Sequence, residues 1–276
     1  MTATTVPQQR HTHAAPGGGN RLGWWLSDAW VMTMRNLRRF PRTPDLVVFA
    51  AIQPIIFILL FAYVFGGAIN VPGVDYKQFL MPGVFVQTVV FGSVAATGIG
   101  IAEDMEKGIV DRFRSLPMTR SSVLVGRSLS DAVRNAFTLL VMIIVGYAIG
   151  FRFDGGALRA IGGIALLLFF GFAFSWIAAV IGLAVKSVEA AQTGGFLWLF
   201  PLTFASSAFV PTQSMPSWLQ AFADHQPVTV TVNALRAWFN GTDVGSQAWQ
   251  SLGWSVLVIA VFLPLAVAKY RRATSR

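Results

Sequence analysis

AIGGIALLLFFGFAFSWIAAVIGLAV, residues 160–185, decides the fold. The run has no charge and is dominated by Leu, Phe, Ile and Ala. A helix needs about 20 mostly apolar residues to cross a bilayer core. Lipid offers no partner to a free amide, so a spanning segment of this kind must bond its own backbone as a helix. Five further runs read the same way: Leu46 to Ile69, Phe79 to Ile101, Ala132 to Ile149, Ala190 to Val210 and Gly253 to Ala268. Arg134 lies near the start of the third run, Pro201 lies inside the fifth, and Gln247 to Leu252 can lengthen the last. The expectation is an all-α, polytopic membrane protein with six transmembrane helices.

Composition agrees. Hydrophobic residues make up 54% of the chain and charged residues 12%, with a mean hydropathy of +0.60. Soluble domains carry about 25% charged residues, so this chain has too few to cover a water-facing surface. The net charge of +9 would suggest nucleic acid in a soluble protein. Here the basic residues sit between apolar runs, which points to topology, and no nucleic-acid partner is expected. The absence of cysteine excludes disulfides, thiolate metal sites and cysteine nucleophiles. The leader, residues 1–22, has no apolar core for a secretory signal and reads as a disordered cytoplasmic tail.

Orientation follows from Lys and Arg placement. With six spans and the amino end inside, the inner segments hold 16 basic residues: Arg10, Arg21, Arg35, Arg38, Arg39, Arg42, Lys107, Arg112, Arg114, Arg120, Arg127, Lys186, Lys269, Arg271, Arg272 and Arg276. The outer segments hold 4: Lys77, Arg152, Arg159 and Arg236. Both ends are therefore expected in the cytoplasm of a bacterial inner membrane.

Three segments do not span. In residues 23–40, Trp24, Trp25, Trp30, Met34 and Leu37 recur near helical spacing, and Arg35, Arg38 and Arg39 follow. This is the pattern of a helix in the cytoplasmic interface, with Trp at headgroup depth and Arg toward anionic lipid. It serves either as an anchor alone or as an elbow touching a cytoplasmic partner. Residues 103–116 are the most charged part of the chain. Glu103, Asp104, Glu106, Lys107, Asp111, Arg112 and Arg114 surround an apolar stripe of Ile109, Val110, Phe113 and Leu116. A short amphipathic helix with such a stripe suits docking into a groove on another protein, although a charged loop is also simply a solvated face. Residues 211–244 are too polar to span. Met215 to Ala223 and Val230 to Phe239 suggest two short helices, either re-entrant or extracellular.

The chemistry-bearing motifs are few. No G-x-x-x-x-G-K-[ST] is present, so ATP, if used, is hydrolysed by another chain. H-E-x-x-H and G-x-S-x-G are also absent. Asp224–His225 is the one acid–His neighbour pair, with no motif-marked serine. The span interiors carry no carboxylate, which leaves a proton or sodium relay without candidates. Asp131, one turn from Arg134 and sharing a face with Arg127, reads as a local ion pair at a helix entrance. Uncharged polar residues do occur in spans, Gln53, Gln87 and Thr88 among them, and either line a path or bond helices together. Phe196, Trp198, Phe200 and Phe204 crowd the fifth run and face either lipid or a cavity for an apolar substrate.

Taken together, EDMEKGIVDRFRSLPMTRSSVLVGR at Glu103 to Arg127, GYAIGFRF at Gly146 to Phe153 and MPSWLQAFADHQPVTVTVNALRAWFNG at Met215 to Gly241 resemble the type-2 ABC exporter permeases. The similarity is greatest to the daunorubicin/doxorubicin-resistance branch. It covers Trp24 to about Arg272. It implies a permease domain over residues 23–276 that works as two permease copies, a homodimer, with two nucleotide-binding ATPase subunits. Residues 103–116 would be the coupling helix in the ATPase cleft, with Glu103, Glu106 and Gly108 matching the acidic, Gly-containing start of the family's loop. Asp104, Lys107, Asp111, Arg112, Phe113 and Arg114 complete that contact. Substrate would pass along the first, second and fifth spans, where Gln53, Gln87, Thr88, Phe196, Trp198, Phe200 and Phe204 lie. No cofactor is expected on this chain, with ATP and Mg on the partner ATPase.

The expected function is export of a hydrophobic or amphipathic molecule, such as a drug, lipid or lipid-like metabolite. The alternatives are an ion-coupled secondary transporter, a polysaccharide-exporting permease, an intramembrane transferase using Asp224–His225, and a non-transporting scaffold.

Overall fold

A computed structural model describes residues 27, 30–34, 44–67, 69, 71, 73–108 and 120–273. The leader, most of the interfacial segment and residues 109–119 lie outside the described residues. Every regular element among the described residues is helical. α1 is Pro44–Leu59, running without a break into a π-helical turn at Leu60–Phe65. α2 is Tyr76–Glu106, with a π-helical stretch at Val94–Ile99. α3 is Arg120–Ile149, α4 is Ala157–Gly182 and α5 is Val188–Phe204. Two shorter helices, α6 (Ser217–His225) and α7 (Pro227–Asn240), precede α8, Gln247–Ala273.

A helix stands at each of the six apolar runs. Four of them, in α2, α3, α4 and α8, are long and apolar enough to cross a membrane. The chain is thus a multi-pass membrane protein. α1 contributes the shorter apolar helix Ile52–Phe65, and α5 has 17 residues. The fifth run is therefore not helical to Val210 as its hydropathy suggested. Ser187 caps α5 by accepting from the Ala190 amide, and the helix unwinds at Ala205. The freed backbone is satisfied by protein. Gln226 donates to the carbonyls of Leu202 and Ala205, the Ser207 amide donates to Thr229 Oγ1, and Arg236 donates to the carbonyls of Ser207 and Ala208. Non-helical backbone at membrane depth persists only under such cover.

The third run also begins earlier than expected. α3 starts at Arg120, so Arg134 stands midway along a 30-residue helix and not at its mouth. Leu124, Ser128, Asp131, Asn135, Leu139 and Met142 form its buried stripe, while Val133, Phe137, Leu140 and Ile144 face outward at helical spacing. The outer stripe suits lipid or a second membrane helix.

The core lies between α2, α4 and α7. Leu80, Val84, Phe85, Leu167, Phe170, Phe174, Val232, Leu235 and Phe239 are all buried there. α2 and α4 cross on small residues. A Cβ on Gly182 would lie 2.4 Å from the Gly98 carbonyl oxygen, and one on Gly98 would lie 3.3 Å from that of Ala178. Close backbone approach of this kind drives helix packing where lipid removes the hydrophobic incentive. The insert is not a loose extracellular loop. Pro227 at the first turn, the Gln226 cap and left-handed Gly241 define α7, which packs against α2, α4 and α8. α6 stays at the surface, with Trp218 and Phe222 exposed and Ala223 buried.

Arg236 fastens this arrangement. It donates to the Phe79 carbonyl at 2.9 Å, the Ser207 carbonyl at 2.6 Å, the Ala208 carbonyl at 3.2 Å and Asn233 Oδ1 at 3.0 Å, and it lies 3.5 Å from the Phe79 ring centroid. A guanidinium keeps its proton in proteins, so the side chain is charged at neutral pH. Near the other end, residues 30–34 are helical, and Thr33 Oγ1 donates to the Gly126 carbonyl of α3 at 3.1 Å. Trp30 and Val31 are exposed beside it.

Candidate functional site

Polar residues that the sequence scatters over three helices converge, with an aromatic from a fourth, on one cavity of about 170 Å³. α1 supplies Gln53, Pro54 and Phe57, and α2 supplies Gln87, Thr88, Phe91, Gly92 and Ala95. α3 contributes Arg134, Asn135 and Thr138, and α5 contributes Phe196. Four of the expected path residues, Gln53, Gln87, Thr88 and Phe196, thus share one chamber. Trp198 does not join them. It points to the other side of α5 and stacks on Phe174 at 5.9 Å.

Phe200 and Phe204 follow Phe196 at intervals of one helical turn and extend the chamber's apolar wall. Phe91 meets Phe200 edge-on at 5.1 Å, and Phe204 stacks on Phe209 at 5.2 Å. Phe61 of the π-helical turn stacks on Phe209 at 4.6 Å. The result is a ladder of rings between α1 and α5. Phe200 and Phe204 remain 43% and 42% exposed, so rings on this track keep free area for an apolar molecule.

The polar side of the cavity is built from α2 and α3. Asn135 donates to Ser93 Oγ at 2.7 Å, locking the helices together. Gly92 is the residue that fits there, since a Cβ would come within 2.6 Å of Asn135 Oδ1. Arg134 donates to the Gly92 carbonyl at 2.9 Å. Thr88 and Thr138 donate back to their own helices, at Val84 and Arg134.

One turn toward the start of α3, α2 and α3 are held by contacts between helices and not by the local ion pair expected of Asp131. Asp131 accepts from Thr97 in the π-helical stretch at 2.5 Å. Arg127 pairs with Asp104. Neither described ion pair joins Asp131 to Arg127 or Arg134. Asn135 and Arg134 were not read as cavity residues. Hydropathy treats a lone Asn in an apolar run as noise, but its spacing of four from Asp131 placed both on one helical face.

The expected coupling segment begins differently from the reading as one helix over residues 103–116. Glu103, Asp104 and Glu106 form the last turn of α2, and Gly108, with φ of 63°, ends it in a left-handed conformation. Glu103 pairs with Lys107 at 3.3 Å, and Glu106 and Lys107 are exposed. Asp104 is turned inward to Arg127. Asp111, Arg112, Phe113 and Arg114 lie outside the described residues. The Asp224–His225 pair forms no hydrolase constellation among the described residues. His225 is exposed and its Nδ1 donates to the Ala221 carbonyl.

Comparison with known proteins gives a consistent result. The ABC-2 type transporter family matches residues 27–240. The daunorubicin resistance ABC transporter permease protein DrrB1 of Streptomyces coeruleorubidus is 37% identical over 274 residues, covering 98% of this chain and 95% of the relative. The probable doxorubicin resistance ABC transporter permease protein DrrC of Mycobacterium tuberculosis is 29% identical over 283 residues, covering 100% and 99%. The probable multidrug ABC transporter permease YbhR of Escherichia coli is 24% identical over 209 residues, covering 73% and 54%.

Proposed function

We propose that this chain, which belongs to the ABC-2 type transporter family, is the permease subunit of an ATP-driven exporter of hydrophobic or amphipathic molecules. ATP and Mg bind a separate ATPase subunit. Two permease copies, a homodimer, and two ATPases form the working unit in a bacterial inner membrane. Six helices cross, with both ends cytoplasmic. The drug-resistance names of the relatives support a substrate of drug, lipid or lipid-like character.

One observation carries the mechanistic part. The exposed turn at Glu106–Lys107 ends α2, and α2 and α3 together carry eight of the cavity's twelve lining residues. Three cross-links tie those helices between turn and cavity: Asp104–Arg127, Thr97–Asp131 and Ser93–Asn135. A displacement imposed at the cytoplasmic end of α2 would move α3 and the cavity wall with it. ATP binding to the partner then favours one of two packings of the same helices, and the cavity changes the side on which it opens. The small residues at Gly98, Ala178 and Gly182 provide a close, rigid crossing against which α2 can move as a unit.

The test is co-purification of this chain with an ATPase subunit, followed by reconstitution into vesicles. Export should require ATP and Mg and fall when Glu106→Lys is introduced. Transport that survives ATP depletion but stops with an uncoupler would instead establish an ion-coupled carrier.

A further inference from the structure

The cavity holds a cation with unused donors. Arg134 spends one Nη on the Gly92 carbonyl. Its Nε and second Nη have no hydrogen-bond partner among the described residues, and neither described ion pair includes it. Gln87 is only 5% exposed, lines the same cavity, and its amide also lacks a partner among the described residues. Gln53 lines the facing wall. Asp131, nearly one turn along α3, attracts Arg134 through space but makes no ion-pair contact with it, lies outside the lining and accepts from Thr97. An ionisable side chain at membrane depth is costly and calls for a partner. A guanidinium with two free N–H positions is shaped for the paired oxygens of a carboxylate or phosphate.

Size narrows the occupant. Drug-sized ligands occupy pockets of roughly 300–1,000 Å³, and this cavity measures about 170 Å³. It fits a headgroup and not a whole polycyclic molecule. From its rim, Phe196 and Phe200 lead away along α5 from the buried Phe91 of α2, and Phe200, 43% exposed, keeps a ring face on which an apolar tail can lie.

We propose that this cavity binds the acidic headgroup of an amphiphile, a carboxylate or phosphate, with Arg134 as the anion ligand and Gln87 as a second donor. The apolar part runs along Phe91, Phe196 and Phe200. The assignment of the amphiphile as cargo rests on the transporter reading above; the anion site itself does not.

Binding is measured on the intact permease–ATPase complex in phosphatidylcholine nanodiscs at neutral pH, using oleic acid and oleyl alcohol as a matched acidic and neutral pair. Oleate should bind at least about tenfold tighter than the alcohol, as expected for charge-assisted hydrogen bonds. Arg134→Gln should cut oleate affinity by roughly ten- to a hundredfold and leave the alcohol unchanged. Arg134→Lys should keep part of the preference, which guards against a mere folding defect. Equal binding of acid and alcohol, or an unchanged ratio in Arg134→Gln, overturns the site. Adding dioleoylphosphatidic acid to the discs separates the sources: competition with oleate identifies a membrane lipid as an occupant, and undisturbed oleate binding identifies a free acid. Selective binding without ATP-driven movement would overturn the exporter reading and leave the site standing. ATP-driven export together with equal binding of acid and alcohol would do the reverse.

Discussion

Replacing Arg236 with Met removes the fastening between the insert at residues 211–244 and the spans while keeping an apolar stem of similar reach. Three main-chain carbonyls, those of Phe79, Ser207 and Ala208, lose this donor. Asn233 Oδ1 and Ser207 Oγ still have each other at 2.9 Å, so they add little to the loss. The Phe79 carbonyl keeps its partner within α2, whereas the Ser207 and Ala208 carbonyls, left unpaired, each cost about 1–3 kcal/mol. Against this, the variant no longer has to desolvate a guanidinium, which offsets several kcal/mol. Water reaching this half-buried site reduces the loss further, and the lost contact with Phe79 adds about 0.5–2 kcal/mol. The net destabilisation expected is about 3 kcal/mol. On the scaling of soluble domains of similar size that is a fall in Tm of roughly 6–12 °C. Thermal unfolding of the purified protein in mild detergent measures it. Arg236→Lys keeps the charge over Phe79 but one ammonium cannot span carbonyls on both sides, so it should lose about half as much. Phe79→Leu should cost less in the Met background than in the wild type, because the ring contact is already gone. A Met variant melting within about 2 °C of wild type would refute the fastening role.

Other changes test the remaining joints. Gly182→Leu should destabilise by about 1–3 kcal/mol or abolish folded protein, because its Cβ meets the Gly98 carbonyl; a melting curve and size-exclusion profile report it. Asp104→Arg and Arg127→Asp should each impair substrate-stimulated ATPase activity in the complex, and the double swap should restore much of it. Glu106→Lys, on an exposed last turn, should leave the stability within about 0.5 kcal/mol of wild type while weakening ATPase capture in a pull-down.

The membrane character was legible because lipid imposes a length and an apolar composition on any span. The run at 160–185 and helix α4 differ by only a few residues. The short helices of the insert were also legible, since Trp218, Leu219 and Phe222 share one helical face and Val230 to Phe239 continue another. Their destination was not. That α7 is packed among the spans depends on Arg236 and Gln226 reaching carbonyls, and Thr229 an amide, where α5 ends and unwinds, a contact between segments some 20–30 residues apart. Hydropathy could not see it, because Ser206, Ser207 and Ala208 are as tolerable in a helix as in a buried turn. The cavity was half legible. Gln53, Gln87, Thr88 and Phe196 stand out as individual residues, but only the packing of α1, α2, α3 and α5 brings them together. Arg134 was misplaced because an apolar-run boundary at Ala132 is not a helix boundary. The helix continues inward through a polar, amphipathic turn carrying Arg127, Ser128 and Asp131.

The central claim is that energy enters this permease from another chain. It is tested most directly by ATP-driven amphiphile uptake into inside-out vesicles containing the chain and its co-purified ATPase, with wild-type ATPase compared with a variant whose P-loop lysine is replaced by alanine. Uptake is expected with the wild-type pair, absent with the lysine variant, and insensitive to an uncoupler. Uptake that is equal with both ATPases and collapses with the uncoupler would contradict it.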